Sequence, residues 1–117
     1  MAPWRRSRPT ITTATRLGGS AGLILLGSYP ASDISSSLTV PTLSISASED
    51  GLSTPEKIDA SRENLPPDTT FTVIEGASHS SFGDYGAQPG DGVPTLRDDE
   101  ARQQISAAML EFLDSLP

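Results

Sequence analysis

The stretch PTLSISASEDGLSTPEKIDASRENLPPDTTFTVIEGASHS, Pro41 to Ser80, decides the fold. Thr42 to Ala47 reads as a strand, with Pro41 at its start, where a missing N–H costs least. Thr54 has the character of a helix N-cap with Pro55 at the first helical position, and Pro66 and Pro67 stop that helix. Phe71 to Glu75 then reads as a further strand. A strand, a helix and a strand at this spacing point to a parallel pair with the helix on one face.

Upstream, GLILLGSY (Gly22 to Tyr29) is a continuous apolar run of the kind found in a strand buried on both faces. Pro30 ends it, and the Ser-rich ASDISSS follows as a linker. Downstream, the loop from Ala77 to Pro94 is long and Gly-rich, a length that in compact domains usually accompanies function. The last helix is expected from about Leu96 to Leu116. Ile105, Ala108, Met109, Phe112, Leu113 and Leu116 follow helical spacing, and Asp98, Asp99 and Glu100 suit its positive N-terminal end. Residues 1–20 show no hydrophobic period, so residues 1–21 are expected to be a poorly structured segment ahead of a domain at 22–117. The fold class is therefore α/β, with about three parallel strands and flanking helices. That is thin for a whole doubly wound domain and resembles the end of one.

Composition limits the function. The chain has 117 residues, 35% of them apolar, with ten glycines and ten prolines, which implies many turns and a thin core. A net charge of −7 argues against nucleic acid and anionic membranes, which need a positive footprint. There is no cysteine and only one histidine, so thiolate zinc sites, disulfides and histidine-rich metal sites are excluded, and no cofactor is expected. No apolar run reaches the roughly 18–20 residues that span a bilayer. Arg5, Arg6, Arg8 and Arg16 precede AGLILLG and the small residues of YPAS, an arrangement that imitates a secretory signal with cleavage after Ala31. The expected compartment is the cytoplasm, with secretion as the alternative.

Two loops carry the chemistry. Glu49 and Asp50 follow one strand, and His79, the single histidine, follows the next. In parallel α/β sheets, working groups gather past the carboxyl ends of strands. A carboxylate and an imidazole at neighbouring strand ends are what a hydrolytic triad needs, the first orienting the second and the second taking a proton from a serine. The plainer readings are a solvent-exposed loop histidine and an Asp-Gly turn. A metal site through Asp84 and Asp91 is a weaker alternative, because the alternating acids of a calcium loop are absent.

The wording of these loops adds to the spacing. VPTLSISASEDGLSTPEKI and LPPDTTFTVIEGASHSSFGDYGAQPGDG resemble the C-terminal third of the α/β-hydrolase superfamily, most closely its dienelactone-hydrolase-like branch of predicted esterases. GLILLGSYPA resembles the strand that precedes the acid loop of that family, and the resemblance extends from Gly22 to Leu116. It implies Asp50 as the acid, in preference to Glu49, because Asp50 immediately precedes the glycine. It also implies His79 as the general base and a small ester or lactone as the substrate. The family places its nucleophile earlier, on a Gly-x-Ser-x-Gly elbow between a strand and a helix. GGSAG puts Ser20 in that pattern, yet TITTATRL before it is polar and GLILLGSY begins at once, with no room for a helix. The expectation is an acid–base pair without its serine, through truncation, a shifted reading frame or divergence, and hence an inactive chain. The competing reading is a non-catalytic secreted binding module. A further expectation is an uncovered sheet edge along GLILL, leading to marginal stability or self-association.

Overall fold

The computed structural model describes residues 10–15, 21–83 and 89–116. Four strands form one sheet in the order β1-β2-β3-β4, with β1 at Thr10–Thr15, β2 at Ala21–Leu26, β3 at Thr42–Ala47 and β4 at Thr70–Ile74. β2, β3 and β4 run parallel, pairing Leu23 with Thr42 and Leu43 with Thr70, while β1 runs antiparallel along β2. The three-stranded parallel sheet read from the sequence is present, and β3 has the expected bounds.

The N-terminal expectation is corrected for part of its length. TITTAT is a strand, paired from Thr10 opposite Leu26 to Thr15 opposite Ala21. Its polarity hid it, because β-branched residues favour a pleated strand even where no apolar period marks one. The same pairing removes the uncovered edge expected along GLILL. β2 lies inside the sheet, and Leu23, Ile24, Leu25 and Leu26 are all buried.

Helix α2, Asp98–Ser115, covers one face of the sheet with Ala101, Ile105 and Phe112, and Leu116 just beyond its end adds to them. These side chains meet Ile24, Leu26, Leu43, Ile45, Ala47 and Ile74, the residues that β2, β3 and β4 turn to that side. On the opposite face, Leu23, Leu25 and Leu65 form a smaller cluster closed by Ile34, Leu38, Val40 and Phe71. The stretch read as a linker thus works as the β2–β3 crossover, tied down where the Ile34 N–H donates to the Asn64 carbonyl. Helix α1, Pro55–Ala60, starts as its sequence dictates: the Thr54 hydroxyl accepts the Lys57 N–H and Pro55 takes the first turn. A 3-10 turn, Ser61–Asn64, continues it to Leu65.

Candidate functional site

The site is assembled where β2, β3 and β4 end. After β3 the chain turns tightly, the Asp50 N–H donating to the Ala47 carbonyl at 3.2 Å. This turn points the Asp50 side chain inward, where it is fully buried. Its Oδ1 accepts the backbone N–H groups of Leu52 and Ser53, both at 2.8 Å. Oδ2 is 2.9 Å from Nδ1 of His79, whose side chain is also fully buried. With the carboxylate acting as acceptor throughout, the shared proton sits on Nδ1, and in the neutral ring Nε2 carries the lone pair. Glu49, the neighbouring acid, is exposed and does not join this pair.

His79 opens a 3-10 turn, His79–Phe82, that follows β4. Phe82 meets the imidazole edge-on, with ring centroids 6.4 Å apart and planes at 68°. Gly27, just past β2, closes the other side. Its φ of 57° lies in the left-handed region, and a Cβ there would stand 3.2 Å from Nδ1 of His79 and 2.9 Å from the Phe82 ring. Three strand ends thus fix one imidazole: β2 by close backbone approach, β3 by the carboxylate and β4 by carrying it.

The two loops are also joined to each other. The Ser48 N–H donates to the Ile74 carbonyl at 3.2 Å, the Glu49 N–H to the Ala77 carbonyl at 2.8 Å, and the Gly76 N–H to the Ser48 hydroxyl at 2.7 Å. Asp91 adds a further tie. Its carboxylate receives N–H bonds from Gly51, His79, Ser80 and Gly92. Burial pushes the Asp91 carboxyl up, but these four backbone donors outweigh it and hold it below the usual carboxylate range.

The candidate residues are therefore distributed as follows. Asp50 and His79 are in hydrogen-bond contact. Asp91, weighed as a metal ligand, is instead surrounded by backbone donors. Asp84, its partner in that reading, and Ser20 lie outside the described residues, among which no group of three or more His, Cys, Asp or Glu side chains is placed to hold a metal. Sequence reasoning missed Gly27 and the role of Asp91. The only sequence signal for either was the Gly-Asp-Gly of residues 90–92, which is also an ordinary turn.

A sheet with three parallel strands, flanked by helices and carrying a buried carboxylate–imidazole pair across two of their ends, defines an α/β protein. The sequence profile of the alpha/beta hydrolase family matches residues 11–104, most of the chain, and the chain belongs to that family. The match starts within β1, ahead of Gly22 where the resemblance in the sequence begins, and ends within α2. Comparisons with curated proteins and with solved structures return no match.

Proposed function

We propose that this chain carries the orienting acid, Asp50, and the general base, His79, of a serine-type hydrolytic site directed at small esters or lactones, in the manner of the dienelactone-hydrolase-like branch. The observation that carries the reading is the buried Nδ1–Oδ2 contact of 2.9 Å at adjacent parallel strand ends. In this role, Nε2 takes the proton of the attacking hydroxyl as the new C–O bond forms. Asp50 stabilises the resulting imidazolium, and Nε2 returns the proton to the leaving alkoxide.

The proposal assigns no nucleophile in this chain, and the chain alone is then inactive. An elbow serine stands between a strand and the helix it opens, whereas Ser20 stands between β1 and β2, two strands that pair antiparallel. The position of β2 within the sheet also supports its retention in the mature protein, because cleavage after Ala31 would remove Ile24 and Leu25 from the core. That favours the hydrolase reading over a binding module whose first 31 residues are removed.

The test is hydrolysis of p-nitrophenyl acetate by the purified chain beside His79→Ala and Ser20→Ala. The expected result is no turnover by any of the three above spontaneous hydrolysis of the ester in buffer. Turnover abolished by both substitutions would make Ser20 the nucleophile. Turnover that His79→Ala leaves unchanged would overturn the acid–base reading itself.

A further inference from the structure

We propose that Asp91 is a positioning residue for the Asp50–His79 pair, a cap supplied across the loop that fixes the acid-bearing and base-bearing turns against each other. This rests on the functional reading above and adds a third residue to it. The turn that begins at His79 presents N–H groups that its own first residues cannot satisfy. The Ser81 N–H goes back to the Ser78 carbonyl and the Ser78 N–H goes to the Ser81 hydroxyl, at 3.0 and 3.1 Å. That leaves the N–H groups of His79 and Ser80, and both donate to Asp91, one to each carboxylate oxygen, at 3.0 Å.

The same Oδ1 also receives the Gly51 N–H at 3.2 Å, directly after the acid. One carboxylate therefore holds the backbone of His79 itself and of the residue next to Asp50.

The placement of Asp91 is dictated by backbone packing. A Cβ on Gly51 would overlap the Gly90 carbonyl oxygen, and a Cβ on Gly92 would overlap the Glu49 carbonyl oxygen. Residues 90–92 therefore lie backbone to backbone on residues 49–51, and the side chain of Asp91, between Gly90 and Gly92, reaches the turn of His79. Its carboxylate is also the species that this site favours, since N–H donors surround it from both loops.

The single histidine makes the test direct, because its ring proton has no rival. The Nδ1–H resonance of the full chain is recorded by proton NMR for wild type, Asp50→Asn, Asp91→Asn and Asp91→Ala. Amide exchange is measured alongside on the wild type. The expected result is a downfield Nδ1–H signal in wild type that is lost in Asp50→Asn and lost or broadened in both Asp91 variants. The amides of Gly51, His79 and Ser80 are expected to exchange about tenfold or more slowly than unstructured ones.

An Asp91 that merely stabilises the fold would lower the urea midpoint and leave the Nδ1–H resonance of the folded protein in place, which would overturn the proposal. Should neither Asp91 variant fold, the wild-type exchange decides: unprotected amides at Gly51, His79 and Ser80 would overturn it. A wild type with no Nδ1–H signal that Asp50→Asn can remove would overturn the pair and the functional reading with it, whereas a signal indifferent to Asp91 overturns only the positioning role.

Discussion

Replacing Asp50 separates the structural weight of its contact with His79 from the chemistry proposed for the pair. Three donors converge on this carboxylate: the Leu52 and Ser53 N–H groups at 2.8 Å and the His79 Nδ1–H at 2.9 Å. Alanine removes every acceptor at once. The donors of Ser53 and His79 are buried and that of Leu52 is partly so, and each buried donor left without an acceptor costs about 1–3 kcal/mol. Two full penalties and about half of a third give about 2.5–7.5 kcal/mol, a large share of the roughly 5–15 kcal/mol that holds a small domain folded.

Asparagine is a different perturbation. It keeps one oxygen for Leu52 and Ser53 but presents an NH₂ to Nδ1, so the imidazole must move its proton to Nε2. Its cost should be about 1–2 kcal/mol, while the base is lost as completely as with alanine. In a completed triad that reversed tautomer costs on the order of 10⁴ in kcat. Urea unfolding followed by far-UV circular dichroism measures the stability, and a slope of about 1–2 kcal/mol/M turns the alanine cost into a midpoint shift of a few molar. The expected order is wild type, then Asp50→Asn, then Asp50→Ala, well separated. An alanine variant within about 1 kcal/mol of wild type would refute the reasoning, since three matched donors cannot lose their acceptor so cheaply.

Other perturbations give equally definite outcomes. The lowered Asp91 carboxyl contributes stability that is fully present above the unfolded carboxylate value of about 3.9 and is lost as pH falls through the lower folded value. The gap in urea midpoint between wild type and Asp91→Asn should therefore be constant from about pH 7 to pH 5 and close below about pH 4, and a gap that widens on acidification would contradict the assignment. Gly27→Ala forces a side chain into a left-handed φ of 57° and against the His79 ring. It should cost about 1–3 kcal/mol and disturb the Nδ1–H resonance, whereas an unchanged resonance would show that Gly27 does not hold the ring. Phe112→Ala empties the contact between α2 and the sheet and should cost about 3–5 kcal/mol in the same unfolding assay; a loss under 1 kcal/mol would mean that α2 is not part of the core.

The sequence exposed those elements whose signals are local. Thr54-Pro55 announces the start of α1 through capping chemistry, and the apolar run after Gly22 announces a strand buried on both faces. Helix α2 is visible because Ile105, Phe112 and Leu116 recur at helical spacing. What stayed hidden depends on partners distant in the chain. β1 consists mainly of threonine and has no period of its own, and its strand conformation accompanies pairing with β2. The crossover from Ala31 to Val40 reads as a serine linker because only Ile34, Leu38 and Val40 pack inward. The carboxylate and imidazole could be proposed from two strand ends, but Asp91 could not. Three of its four donors lie 11, 12 and 40 residues away, and all four are backbone N–H groups, which leave no mark on residue type.

The pair also illustrates how stability and chemistry can be held by the same residues. Both carboxylate oxygens of Asp50 have matched donors, and the loops on either side are cross-linked through Ser48, Glu49, Gly76 and Asp91. An arrangement of this kind is already fixed before any substrate arrives, which is the condition under which an acid–base relay works without reorganising its surroundings. Breaking a buried pair by removing one member costs more than the pair contributes, because the survivor is left desolvated and unmatched. Asp50 and His79 would therefore be retained by folding even in a chain with no nucleophile to serve. Together they form a buried carboxylate–imidazole contact at adjacent strand ends, and the difference between Asp50→Asn and Asp50→Ala, which spare and remove the backbone acceptor respectively, measures how much of that geometry the fold itself requires.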